Sequence, residues 1–477
     1  MTKDGLSTSG PSPSAGHREL GPLAFLALAI GGQIGVGWIT FVGFWLGDAG
    51  ARDTLAGFAV GAVMMAGVAA CHAELAGMMP VSGGEIVYAE RVFGRFAAFL
   101  VGWFLLFIAV AMLSFEAVSL GWMLETLFPI LRAPPLFSVL GAGVTAPELI
   151  ISQASLWLVY AVNRRGLHAS ARTGEFLTAA KVAIVLCLIV GGLLFGQPGR
   201  ALELPSGRSG QGELWRVLGI VAASPFWIGG FSSIAKLVGE RNSTLSMRTV
   251  GRLMVATVIA SALIYMGIVG ACAAAAPVAE TIGAPLPAVF AADALFGGGW
   301  AGRAILVAGI AGILSIMNAV LLSSSRVMRV FRAFNADVDA NRTARGSHDF
   351  LLIVAAAALC SVAGRGALAP LNNAGAMAAI ICYFVMCLAT LRLRIKEPGA
   401  ERPFRTPGGA PMLVAILVAM GSAGGYLLAQ PLLGASKAPP MEWIVFGSWI
   451  GLGALAWRIL GAKRVGEGPS ARRAPEQ

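Results

Sequence analysis

Charge is scarce in this chain. Only 12% of its 477 residues are Asp, Glu, Lys or Arg, about half the share of a soluble domain, which excludes an ordinary water-soluble fold. Histidine is scarcer still, with four copies. No His-Glu-x-x-His pair, Gly-x-Ser-x-Gly elbow or phosphate-cradling Gly-rich loop ending in Lys occurs, so hydrolysis and ATP-driven pumping lack their usual groups. The chain is read as a non-enzyme with no cofactor. The six cysteines (Cys71, Cys187, Cys272, Cys360, Cys382, Cys387) fall in hydrophobic runs without metal-ligand spacing. Cys382 and Cys387, five apart, lie on different faces of a helix. They read as small, unpaired, buried side chains, and no metal site is expected.

What is abundant is hydrocarbon. Hydrophobic residues make up 57% of the chain and mean hydropathy is +0.77. A membrane-spanning helix needs about 20 apolar residues. Twelve stretches qualify, near 20–46, 55–79, 96–127, 147–163, 174–195, 214–238, 250–276, 301–328, 350–364, 371–391, 411–430 and 441–460. The fourth and ninth are short, which leaves eleven open. The fold class is an all-α integral membrane protein of about twelve spans. The first stretch is too long and glycine-rich for a cleavable signal. Residues 1–19 and 463–477 read as disordered tails.

The net charge of +11 marks topology. With both termini cytoplasmic, 25 of the 35 Lys and Arg fall in the tails and even-numbered loops. The odd-numbered loops hold eight: Arg52, Arg132, Arg200, Arg208, Arg216, Arg303, Arg365 and Lys437. This asymmetry satisfies the positive-inside rule for a cell membrane protein and argues against a nucleic-acid partner.

Two hydrophobic segments are interrupted. The first contains Gly31-Gly32-Gln33-Ile34-Gly35-Val36-Gly37; the sixth contains Ser224-Pro225 and Gly229-Gly230. Broken backbone leaves N–H and C=O groups unpaired, and lipid tolerates them only where protein encloses them. Glycine for close helix packing is the plainer account of either run. A matched pair at the first and sixth segments instead points to a secondary transporter with its site at the two breaks.

The stretch Ala73-Glu74-Leu75-Ala76-Gly77-Met78-Met79-Pro80, followed by Gly83-Gly84-Glu85 and Tyr88-Ala89-Glu90, resembles the second helix and loop of the amino acid–polyamine–organocation (APC) superfamily. Ile34-Gly35-Val36-Gly37 resembles that family's Ile-Gly-Ser-Gly turn. Asn163-Arg164-Arg165-Gly166 leading to Lys181, Gly230-Phe231 with Glu240 and Asn242, Asn318 to Arg326, Pro370-Leu371-Asn372-Asn373 and Arg402-Pro403-Phe404-Arg405-Thr406-Pro407-Gly408-Gly409 match further family segments in order. The resemblance implies two inverted five-helix repeats (about 20–195 and 214–395) with discontinuous helices 1 and 6, and two appended helices over 396–462. It also implies alternating-access transport of an amino acid or related amine, by proton coupling or exchange.

The expected substrate site is Gly32, Gln33, Ile34, Gly35, Val36 and Gly37 on helix 1, with Phe226, Trp227, Ile228, Gly229 and Gly230 on helix 6. A half-helix N-terminus after Gly35 suits a carboxylate, and freed carbonyls near Ile228 and Gly229 suit an ammonium. Val36 stands where the family has a serine, so a carboxylate would rest on backbone amides alone. Trp38, Phe226 and Trp227 bring aromatic surface, which favours apolar or aromatic amino acids; packing is their alternative role.

Intramembrane charge is costly and marks function. Lys181, six residues into its segment, either snorkels to the surface or, by the resemblance, couples transport to protons in place of a bound sodium. Glu116 lies about 30 Å along its helix from Phe96, near the outer face or in reach of substrate amine or proton. Lys236 is read as snorkelling or pairing with Glu240. Sodium coupling is the rival, with oxygens from Ser315 and Asn318, though a cationic Lys181 would repel the ion. A polyamine carrier and a non-transporting membrane receptor are the remaining alternatives. The expected partners are a small-molecule substrate, protons and membrane lipid.

Overall fold

The computed structural model describes residues 30, 34–81, 83–164, 171–202, 212–238, 241, 245–336, 347–433 and 440–465. Gly32 and Gln33, the tail over 1–19 and the first segment before Ile30 lie outside them, as does the end of the chain past Val465. Residues 463–465 continue the last helix rather than starting a tail.

The first helix, α1 (Gly37–Met78), carries a residue at φ +74°, Gly50, in its interior. Thr54 Oγ1 donates to the Trp45 carbonyl at 3.0 Å. Nine residues of straight helix would separate those groups by about 13 Å, so the chain turns back on itself at Gly50. The first two hydrophobic segments are therefore the two arms of α1. After α2 (Glu85–Phe93) comes α3 (Arg95–Leu127), then a hairpin of β1 (Pro135–Val139) and β2 (Ala142–Thr145). Its two-residue turn, Leu140 and Gly141, has positive φ at both positions, as the twist of a hairpin demands. This small sheet is the one departure from an all-helical chain among the described residues.

The remaining helices are α4 (Ala146–Arg164), α5 (Ala171–Phe195), α6 (Glu213–Trp227), α7 (Phe231–Leu237), α8 (Met247–Ala275), α9 (Val278–Gly283), α10 (Pro287–Phe296), α11 (Trp300–Ala336), α12 (Ser347–Ser361), α13 (Leu368–Lys396), α14 (Gly409–Ala429) and α15 (Met441–Val465). Seven helical runs among the described residues are long and apolar enough to cross a membrane, one of them the folded-back α1. The other expected segments are helical as α4, α5, α12 and α15 but fall short of that measure. The protein is a multi-pass, almost wholly helical membrane protein.

Two buried ion clusters fix the helix ends. Where α1 ends, Glu74 (1% exposed) takes both Arg394 Nε at 2.9 Å and Arg394 Nη2 at 2.6 Å, Arg402 Nε at 3.1 Å and the Thr406 N–H at 2.8 Å. Two sequence stretches more than 300 residues apart thereby close on one carboxylate. At the opposite end, Arg365 binds Glu125 at 3.0 Å and Glu148 at 2.9 Å, setting the start of α13 against α3 and α4. Removing Glu74 would strand two buried guanidinium groups, a loss of about 3–5 kcal/mol.

Candidate functional site

At the first break the Ile34 N–H donates to the Ile30 carbonyl at 2.9 Å; Gly35 and Val36 are not helical, and α1 begins at Gly37. Ile34, Val36 and Trp38 are 0%, 0% and 1% exposed, so protein encloses the break. Its two backbone ends meet opposite charges. Lys181 Nζ, from α5, donates to the Ile34 carbonyl. The Glu116 carboxylate, from α3, lies against the Val36 amide and over Gly35. An anion at the start of a helix is the arrangement that peptide dipoles favour, and the cation sits on the carbonyl side of the break. The two side chains also attract each other.

Lys181 is 2% exposed and Glu116 5% exposed. Neither sits at a surface. The snorkelling alternative for Lys181 is excluded, because its stem packs against Gly312 of α11 while its amine reaches Ile34. The outer-face position for Glu116 is also corrected. Its helix runs eleven residues beyond it to Leu127, about 16 Å more, so a carboxylate far from Phe96 is still inside the bundle. One Glu116 oxygen lies over Gly35, where only glycine leaves room, and the other has no hydrogen-bond partner.

The second break joins α6 to α7. Pro225 has no N–H to offer the Val221 carbonyl, and Ser224 Oγ fills that role at 2.7 Å. Ile228 N–H closes on Ser224 at 2.9 Å; Gly229 and Gly230 follow, and Ser232 and Ser233 restart the helix on their carbonyls at 3.1 and 3.0 Å. Tyr383 of α13 donates its hydroxyl to the Gly229 carbonyl at 3.4 Å and occupies the space a Gly229 side chain would need. Beside it, His72 holds the Val68 carbonyl at 2.9 Å through Nδ1 and packs edge-on against Phe231 and Tyr383 at 5.0 and 5.3 Å. Lys236 lies within electrostatic range of His72.

Trp227 links the breaks. Its ring covers Gly37 of α1 and meets Phe41, Trp45 and Phe115 at centroid distances of 5.3, 5.1 and 5.7 Å. Phe226 turns the other way, against Gly375 of α13. On the far side of Phe41 and Trp45 opens a cavity of about 450 Å³.

Two interrupted helices packed together, with charges of opposite sign on one interruption, fit a solute carrier better than any catalytic arrangement. Residues 20–455 match the protein family described as amino acid permease. The chain belongs to the amino acid permease family. The permease is 26% identical over 478 residues to the methylthioribose transporter of Bacillus subtilis, with 96% of each chain covered. It is 24% identical over 409 residues to the branched-chain amino acid permease BcaP of the same organism, covering 82% of this chain and 84% of that one. A shorter match, 33% over 194 residues, joins it to cationic amino acid transporter 9, chloroplastic, of Arabidopsis thaliana, over 39% of this chain and 33% of the other. It is a membrane transporter for amino acids or related solutes, not an enzyme.

Of the residues singled out from the permease's sequence, Ile34, Gly35, Val36, Glu116 and Lys181 converge on one break. Gly37 and Trp227 are in contact; Ile228, Gly229 and Gly230 form the other break. Sequence reasoning missed Tyr383 and His72. Their signal was a polar tip inside an apolar run, which a buried polar group must justify with a partner.

Proposed function

We propose that the permease moves an apolar amino acid across the cell membrane by proton-coupled alternating access. The observation that carries this reading is the Lys181–Ile34, Glu116–Val36 clamp on the first break. Inside the bundle each charge offsets the other, and the pair holds the two ends of helix 1 in register. A substrate carboxylate needs the Val36 amide that Glu116 occupies, and moving a proton on the pair changes how firmly that amide is held. Substrate and proton thus act on the same atoms, which is what coupling requires. The repeats are read as about 20–195 and 214–395, with 396–462 appended. By the distribution of basic loops, both termini are cytoplasmic and Gly50 faces outward.

Sodium coupling has less support. The Asn318 side-chain oxygen already accepts from Asn163 Nδ2 at 2.7 Å, and a cation beside Lys181 would be repelled. A second reading, an uncharged thioether solute, is favoured by the same Glu116 contact, since it leaves the amide closed to a carboxylate; the full-length likeness to a methylthioribose transporter accords with it. Uptake into proteoliposomes separates them. An inward proton gradient should accumulate leucine or its relatives, and a protonophore should abolish accumulation. Accumulation driven by sodium alone would overturn the coupling, and competition by methylthioribose but by no amino acid would establish the second reading.

A further inference from the structure

An open groove of about 550 Å³ follows the seam between α5 and α11. Its walls are Ala180 and Ile184 of α5 and, on α11, Trp300, Arg303, Ala308 and Ala311. The next residues along, Lys181 and Gly312, are buried and packed on each other. The groove is therefore the outside of the seam from which Lys181 reaches the first break. Small side chains on both helices give it depth, and in a membrane-spanning bundle such a face looks onto lipid. From Trp300 to Ala311 the α11 wall is eleven residues, about 16 Å, which matches one leaflet of a hydrocarbon core about 30 Å thick. Arg303, at the mouth beside the exposed Trp300, is its one charged lining residue. Asp293 of α10 comes to the same end of α11, but its Oδ1 accepts the Gly302 N–H at 2.8 Å. Among the described residues no carboxylate pairs with Arg303.

We propose that this groove is a specific site for one anionic phospholipid, its acyl chain along the alanines and its phosphate on Arg303. A guanidinium fork matches phosphate oxygens, and an indole at the mouth belongs at headgroup level. A zwitterionic lipid offers the same chain and phosphate, but its own cation offsets the charge that Arg303 would meet. By the distribution of basic loops the mouth faces outward, so the lipid comes from the outer leaflet. A second copy of the chain fits less well. Two-fold packing about the membrane normal would bring a second Arg303 to the same depth, where like charges repel. An occupant backs the seam that holds Lys181 without touching the first break, and the site stands whatever the permease transports.

Native mass spectrometry on the full chain, delipidated in detergent, tests this with dioleoyl phosphatidylglycerol and dioleoyl phosphatidylcholine. The unaltered permease should hold one phosphatidylglycerol about fivefold more tightly than phosphatidylcholine, the effect of one basic residue beside an anionic headgroup. Arg303→Gln, at an exposed position that leaves folding intact, should erase that preference. Ala308→Leu fills the groove and should weaken both lipids about threefold or more, with its melting temperature checking the fold. Arg132→Gln, an exposed cation of another outer loop, should leave the preference unchanged. Equal retention of the two lipids by the unaltered permease would overturn the proposal. So would an equal loss of preference in Arg132→Gln, or unchanged phosphatidylglycerol binding in both Arg303→Gln and Ala308→Leu. A dimer that Ala308→Leu breaks would give the face to a second copy and overturn it as well.

Discussion

The two breaks solve the same problem with different chemistry. Both expose backbone polar groups inside the bundle, where each unsatisfied group costs free energy. The first is held by charges, Lys181 on the Ile34 carbonyl and Glu116 on the Val36 amide. The second is held by neutral hydroxyls, Ser224 on Val221 and Tyr383 on Gly229, with Pro225 removing one donor. A charge-assisted bond is about twice as strong as a neutral one, and it can be made or broken by a proton. The neutral break can bend, and neither of the hydroxyls that hold it carries a charge. On the proposed reading, the difference gives coupling to helix 1 and adaptable packing around Phe226 and Trp227 to helix 6.

The comparison breaks most directly at Gly35. Gly35→Leu should abolish substrate binding and every mode of transport, by roughly a hundredfold or more, because its side chain must displace the Glu116 carboxylate. Proteoliposome uptake and counterflow measure this at matched insertion; full activity would mean that the first break holds no substrate. Lys181→Ala comes next. Accumulation against a gradient should fall about tenfold or more and its dependence on outside pH should flatten, while exchange between equal pH values persists. Lys181→Arg keeps the charge but cannot release it, so it should exchange without concentrating. Unchanged pH dependence in Lys181→Ala would place coupling elsewhere.

Weaker effects belong to the neutral break. Phe226→Ala removes a ring from Gly375 and the aromatic layer, and its apparent KM should rise about fivefold with pH dependence intact. Trp457→Ala, on α15 against Phe96 and Phe99 at 5.3 and 5.0 Å, is the control and should change KM little. Equal losses from both would assign the rings to stability. Tyr383→Phe gives up one long hydrogen bond of about 0.5 kcal/mol, so a change of about twofold in transport rate is expected, again without a pH effect. A flattened pH profile in Tyr383→Phe would erase the contrast between the breaks.

Much of this was legible without coordinates. Hydropathy alone identified a multi-pass helical membrane protein, because a bilayer demands runs of about 20 apolar residues and the chain supplies little else. Glycine and proline at matching positions marked both breaks, since few other residues interrupt a helix so reliably. Lys181 stood out as a charge in an apolar run. Glu116 stood out equally, yet distance along one helix left it between the outer face and the substrate site, because position along a helix does not say which neighbours surround it. The turn at Gly50 falls in the gap that hydropathy left between the first two segments, whereas the hairpin before α4 was hidden in a loop.

What the sequence determined by itself is the solvent the protein lives in and where its helices fail, both of which are local properties of composition and backbone chemistry. Which charge answers which failed helix was decided only in three dimensions. Lys181 reaches a carbonyl 147 positions away, Glu74 gathers two arginines from beyond residue 390, and Arg365 gathers Glu125 and Glu148 from two other helices. Periodicity carries no record of such meetings, because they depend on how helices pack, and packing is set by the sum of many small contacts rather than by any one residue's neighbours in the chain.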